Sequence, residues 1–200
     1  MAKNIIYGGS FNPIHCGHVA VAQKLLEHGD SVWIMPCYVH NFNKDLLDFV
    51  HRKHMCDLAT HMGATGGINP TKGKFFVSAY EKFKEHENCT YLSMQFMKNR
   101  SPEDEFAIAI GSDCAGEIHK WKYSDKLIAE NQFIVFNRIG YSPDLSWMKP
   151  TDIFIEEPVH NISSTFIRKM LETGSPEIEG ILDSRVLEYI RKHNLYGTGN

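Results

Sequence analysis

Gly8-Gly9-Ser10-Phe11-Asn12-Pro13-Ile14-His15-Cys16-Gly17-His18 is the stretch whose reading decides the fold. An apolar run, Ile5-Ile6-Tyr7, leads into it, and a helical pattern over 19–27, ended by Gly29, follows. Strand, glycine turn, helix is the order that opens a parallel α/β sheet, and ligands of such sheets sit beyond the carboxyl ends of the strands. Two glycines let the main chain approach a ligand with no Cβ in between. The helix start behind the turn offers unpaired N–H groups and a partial positive charge to an anion. His15 and His18, three residues apart, share one side of that first turn. Main-chain donors with two imidazoles describe a site for a polyphosphate.

Outward from the turn, strand-like and helix-like segments alternate. Strands are expected at 32–35, stopped by Pro36, and at 75–77, 106–110, 133–136 and 153–155. Helices are expected at 46–62, 91–98, 115–121, 125–130, 163–171 and 178–193. In the first of these, Leu46, Val50, His54, Leu58 and Met62 fall on one side. The segment 38–44 is polar and reads as a loop. The segment 63–74, with four glycines and a proline, reads as a mobile surface loop. Phe75, Phe76, Met94, Phe96 and Met97 are expected in the core, and the last few residues are expected to fray. Alternation of this kind predicts a parallel α/β sheet with helices on both faces. No repeat or linker interrupts it, so residues 1–200 are expected to form a single domain.

Composition narrows the function. The chain carries 21 Lys and Arg against 24 Asp and Glu, a net charge of -3, which argues against a broad basic surface for nucleic acid. No apolar run approaches the roughly 20 residues that span a bilayer. Met1-Ala2-Lys3-Asn4 runs directly into the first strand, so no signal peptide is expected. Five scattered cysteines, none in a CxxC pair, read as reduced thiols, so a cytoplasmic protein is expected. Neither the GxxxxGK[ST] order nor GxGxxG occurs, which disfavours a P-loop and hydride chemistry. His51 and His54 repeat the HxxH spacing, but they read as surface or packing residues of a helix. Without paired cysteines nearby, neither pair makes a structural zinc site.

A second cluster is Asn161-Ile162-Ser163-Ser164-Thr165-Phe166-Ile167-Arg168. Its hydroxyls make a helix start, with Ser163 or Ser164 as N-cap. The same hydroxyls and free amides can hold phosphate oxygens, and Arg168, one turn on, brings a planar fork suited to phosphate.

Together the two clusters resemble the HxGH nucleotidyltransferase superfamily, with His15-Cys16-Gly17-His18 as the signature. The pairing of Gly-Gly-Ser-Phe-Asn-Pro-Ile-His with Ile-Ser-Ser-Thr-Phe-Ile-Arg is similar to the nicotinate or nicotinamide mononucleotide adenylyltransferases. Ile110-Gly111-Ser112-Asp113 followed by Trp121 resembles a Gly-x-Asp…Trp segment of that family. Phe136-Asn137-Arg138-Ile139-Gly140 resembles its late strand ending in Arg-x-Gly, and 52–59 resembles its Arg-x-x-Met helix.

The resemblance implies a doubly wound, Rossmann-like fold and adenylyl transfer from ATP to nicotinate or nicotinamide mononucleotide, giving an NAD-type dinucleotide and pyrophosphate without a covalent intermediate. It implies catalytic roles for His15, His18 and Arg168. Gly8, Gly9, Ser10, Phe11, Ser163 and Ser164 would join them around ATP. Ser10, Phe11, Lys44, Thr90, Asp113, Trp121 and Arg138 would line the mononucleotide site, with Trp121 stacked on the pyridine ring. Mg²⁺ would be held by substrate phosphates and water, with no protein ligand. A homo-oligomer is expected by the same analogy, and neither nucleic acid nor membrane as a partner.

Two segments depart from the family pattern. The loop 38–44 lacks the proline pair before its lysine. Cys89-Thr90-Tyr91-Leu92-Ser93-Met94 stands where Tyr-Thr-x-Asp-Thr-Leu is usual, so the acidic residue is missing. In the family it resembles, these segments usually shape the mononucleotide pocket, so nicotinate and nicotinamide stay open. Two alternatives are a nucleotidyltransferase with another phosphorylated acceptor and a non-catalytic nucleotide-sensing module. Ser163 to Arg168 weighs against the first, and the retained His15, His18 and Arg168 against the second.

Overall fold

A computed structural model describes residues 1–38, 46–60, 74–83, 89–158 and 162–199. Six strands form one sheet: β1 (Lys3–Gly9), β2 (Ser31–Pro36), β3 (Lys74–Val77), β4 (Glu105–Gly111), β5 (Gln132–Phe136) and β6 (Ile153–Ile155). Their order is β3-β2-β1-β4-β5-β6 and every pairing is parallel. This is the doubly wound arrangement, and its direction of winding reverses between β1 and β4.

Beyond their first one or two residues the strands carry no charged side chain, because helices cover both faces. In β4 the alternation sorts by size. Ala107 and Ala109 join one core with Ile5, Tyr7, Val32, Ile34, Ile134 and Phe136, while Phe106, Ile108 and Ile110 join the other with Ile6, Met35, Phe133 and Val135. The first core is closed by α1 (Cys16–Leu25), α2 (Phe49–Thr60), α6 (Ser164–Glu172) and α7 (Ser184–Lys192). The second is closed by α3 (Thr90–Arg100), α4 (Ser112–Ala115) and α5 (Ser124–Glu130).

The strand expectations hold to within a residue or two, and several helix expectations are corrected. Helix α1 starts at Cys16, three residues before 19, because His15 takes the extended N-cap conformation (φ -149°). Helix α2 begins at Phe49, and its buried face is Phe49, Arg52, Met55, Cys56 and Ala59. Val50 is 54% exposed, so the Leu46–Val50–His54 stripe faces outward. What turns the helix is Arg52, a charged residue that finds main-chain acceptors inside. The 115–121 helix is α4 followed by a 3-10 turn at Ile118–Lys120. The 178–193 helix is broken by an Asp183 N-cap, whose carboxylate accepts the Arg185 N–H at 2.9 Å. Met94 and Met97 are buried, but Phe76 and Phe96 are each 36% exposed, and Phe76 stacks on Trp33 at the open edge of β3. Near the chain end, Leu195–Gly197 forms a 3-10 turn with Leu195 in the first core. His51 bonds the Tyr189 hydroxyl at 2.8 Å, so its role is packing between α2 and α7. The 63–74 loop lies outside the described residues, save Lys74, the first residue of β3.

Candidate active site

The reversal of winding opens a crevice beyond the ends of β1 and β4, where Gly8-Gly9 and Gly111-Ser112-Asp113 emerge side by side. A Cβ on Gly8 would meet nothing within 4 Å, so this glycine faces open space. A Cβ on Gly9 would stand 3.1 Å from the Phe11 ring, which folds back beneath the turn. Phe11 adopts φ +46° to do so and is 1% exposed, edge-on to Tyr7 and to the His18 ring. Only the main chain of Phe11 is therefore left to face a ligand.

His15 and His18 lie ring against ring, with centroids 3.8 Å apart. The His15 main-chain N–H donates to His18 Nδ1 at 3.3 Å. A neutral His18 accepting at Nδ1 carries its proton on Nε2, which makes that nitrogen a donor. Burial, the neighbouring His15 and the Arg138 charge hold His18 well below the usual imidazole range. Burial and Arg138 bring His15 down to about 3. Both rings are thus neutral at physiological pH. The His15 side chain in turn faces the His18 main-chain N–H, closing a capping box at the start of α1.

The late motif meets the early one here. Ser163 caps α6, its Oγ accepting the Phe166 N–H at 3.2 Å. The Ser164 hydroxyl donates to the Pro13 carbonyl at 3.0 Å. Arg168 donates to the Asn12 carbonyl at 2.8 Å and to Thr165 Oγ1 at 3.2 Å. Two segments some 150 residues apart in sequence are one structural unit.

Across the crevice, Arg138 Nη1 pairs with Asp113 Oδ2 at 2.7 Å, and the Arg138 N–H donates to Ser112 Oγ at 2.9 Å. Asp113 Oδ1 is buried and unpartnered, an acceptor in want of a donor. Trp121 is half-buried against the second core. Thr90 opens α3 on that same side of the sheet, the opposite side from α1. Lys44 lies outside the described residues. Among the described residues, no group of three His, Cys, Asp or Glu is placed to hold a metal ion, and no helix is long and apolar enough to cross a membrane.

Sequence reading named Arg52 only as part of a motif and missed what it does. It is 1% exposed, and donates to the carbonyls of Ser10 (2.8 Å), Cys37 (2.7 Å) and Leu47 (2.7 Å), with a longer bond to Tyr38. A single guanidinium ties the glycine turn to the end of β2 and the start of α2. The trans peptide after Ser10 then turns the Phe11 N–H away from the guanidinium. The available signal was a lone charge inside the stripe Phe49, Met55, Cys56, Ala59.

The cytidylyltransferase-like family model matches residues 6–170. The nicotinate-nucleotide adenylyltransferase of Bacillus subtilis is 30% identical over 200 residues, covering 98% of this chain and 99% of its own. The nicotinic acid mononucleotide adenylyltransferase of Plasmodium falciparum, solved complexed with NaAD, superposes with a TM-score of 0.83 at 28% identity, over 100% of this chain and 99% of that one. Complexed with APC, it superposes with the same score at 27% identity and the same coverage. The match runs through both clusters that converge on the crevice, and on it the chain belongs to the cytidylyltransferase-like family, among its nicotinate-nucleotide adenylyltransferases.

Proposed function

We propose that this protein transfers the adenylyl group of ATP to nicotinate mononucleotide, releasing pyrophosphate and forming the dinucleotide of NAD biosynthesis. The observation that carries the reading is the junction of the two motifs: Ser164 on the Pro13 carbonyl and Arg168 on the Asn12 carbonyl. It sets phosphate-binding hydroxyls and a guanidinium beside a neutral imidazole donor, in the crevice where α/β sheets bind nucleotides. The names of the relatives support nicotinate as the acceptor.

In the reaction a 5′-phosphate oxygen of the mononucleotide bonds to the α-phosphorus of ATP. The bond from that phosphorus to the α,β-bridging oxygen breaks, and its electron pair leaves with pyrophosphate. The nucleophile is already an anion, so no strong base is needed; alignment and charge compensation do the work. His18 donates through Nε2–H to the α-phosphate as charge builds there. His15, the main chain of Gly8 to Phe11, Ser163, Ser164 and Arg168 hold the ATP phosphates. Asp113 Oδ1 accepts from a ribose hydroxyl, with Arg138 fixing the carboxylate. Trp121 stacks on the pyridine, Thr90 borders that pocket, and Lys44 pairs with the mononucleotide phosphate. Mg²⁺ bound with ATP would supply charge compensation at the phosphates, since among the described residues no group of three His, Cys, Asp or Glu is placed to hold it. Cytoplasmic residence accords with five cysteines none of which forms a disulfide, and a homo-oligomer with the family analogy.

Incubation with ATP, Mg²⁺ and each pyridine mononucleotide separately tests the reading. Stoichiometric pyrophosphate and dinucleotide are expected with nicotinate mononucleotide, at a higher rate than with the nicotinamide form. Release with neither acceptor removes the assignment.

Gly111 supplies a second test. A Cβ there would overlap Asp113 Oδ1 and stand 2.9 Å from Arg138 Cδ. Gly111→Ala is therefore expected to displace the carboxylate and lower kcat/KM for the mononucleotide by about tenfold or more, on the scale of a misplaced binding group. Unaltered kinetics in this variant would separate the Asp113–Arg138 pair from substrate binding.

A further inference from the structure

The end of the chain reaches back into the site. Within the 3-10 turn at Leu195–Gly197, the Tyr196 hydroxyl donates to Asn12 Oδ1 at 2.7 Å. Asn12 is 4% exposed, and its carbonyl is the acceptor of Arg168 Nη1. One residue of the site loop is thus held by its side chain from the C-terminus and by its main chain from α6. The turn that carries Tyr196 packs on α6 and is anchored by Leu195, which is buried in the first core. Its backbone is unusual: Asn194 has φ +50° and Tyr196 φ +56°. Asparagine tolerates this left-handed region, but a tyrosine rarely adopts it, and such outliers persist where the surroundings hold them in place. Burial pushes the Tyr196 phenol up, against the pull of the Arg168 and Arg52 charges, so the hydroxyl stays protonated and a donor.

We propose that Tyr196 is a positioning residue for adenylyl transfer: by fixing Asn12, its hydroxyl orders the loop that sets His15 and His18 against the phosphates. This role rests on the functional reading above. The loop from Ser10 to Pro13 makes no regular secondary structure of its own. Its shape comes from the donors that grip it: Arg52 on the Ser10 carbonyl, Arg168 on the Asn12 carbonyl, Ser164 on the Pro13 carbonyl and Tyr196 on the Asn12 side chain. Removal of the last grip leaves ATP its phosphate contacts but loosens the histidine start of α1. Alignment matters most in the transition state, so the loss falls on kcat rather than on KM.

Tyr196→Phe deletes the hydroxyl and keeps the ring. In steady-state assays well below the unfolding midpoint, kcat is expected to fall about tenfold, the scale of one net hydrogen bond used in alignment. KM for ATP is expected to stay within about twofold. Combined with Asn12→Ala, the change is expected to add nothing beyond the loss from Asn12→Ala alone, because both remove the same bond. Amide hydrogen exchange over residues 10–15 is expected to quicken in Tyr196→Phe, while the central strands keep their protection. A kcat within about twofold of wild type, or full additivity with Asn12→Ala, overturns the proposal. So does unchanged exchange in the loop. Wild-type protein with no turnover overturns the functional reading instead, and the exchange comparison then still decides whether the hydroxyl orders the loop.

Discussion

His18→Ala is expected to lower kcat by about 10²- to 10³-fold while changing the KM for ATP by no more than about threefold, as for the loss of one preorganised donor at a developing oxyanion. The effect is electrostatic. His18 accepts the His15 N–H at Nδ1, so its Nε2–H is aimed without rearrangement. A neutral donor gains most where negative charge grows, and least in the ground state. Steady-state kinetics with ATP and nicotinate mononucleotide separate the two parameters; a rise in KM with kcat intact would make His18 a ground-state contact. Its depressed pKa adds a check on wild type. Burial, His15 and Arg138 all disfavour protonation, so acidification from pH 8 to 6 is expected to cost no rate through this ring. An acid limb near 6.5 that vanished in His18→Ala would contradict the neutral assignment.

Arg52→Met is expected to cost about 3 kcal/mol of stability, at the lower end of the range for breaking a buried, hydrogen-bonded charge. For a chain of this size that is a fall of about 6–12 °C in Tm. Methionine refills the space of the stem but leaves the carbonyls of Ser10, Cys37 and Leu47 without their donor. Each orphaned acceptor opposes folding, and relief of the buried charge offsets part of that. Arg52→Lys is expected to recover little. One ammonium on a flexible stem cannot span three carbonyls arranged around a planar fork. Thermal unfolding followed by circular dichroism reads both variants, and a midpoint within about 2 °C of wild type for Arg52→Met would show that the loops hold themselves.

These predictions fall on residues of unequal legibility. His18 was readable because its partner is three residues away and the strand–turn–helix order is local. The Ser163 cap was readable for the same reason, being three residues from the amide it accepts. Arg52 was not, because its acceptors come from three loops, and one of them is 42 residues distant. Asn12 and Tyr196 are 184 residues apart, and the last residues of the chain carry nothing in their composition that marks them as part of a site. Phe11 sat inside the motif, yet its ring went to the core, since a left-handed backbone turned it under Gly9.

From its order of residues alone this chain determined a winding of strands and helices, the positions of two polar helix starts, and the chemistry of the groups on them. Periodicity, glycine turns and caps act between near neighbours and need no tertiary context. Packing decided the rest: that the two starts share one crevice, that His15 and His18 are neutral, that Asp113 is paired on one oxygen and bare on the other, and that the loop between them is held from α2, α6 and the C-terminus. Those are matters of burial and of contacts across long sequence separations, and desolvation has no value until the neighbours that exclude water are in place.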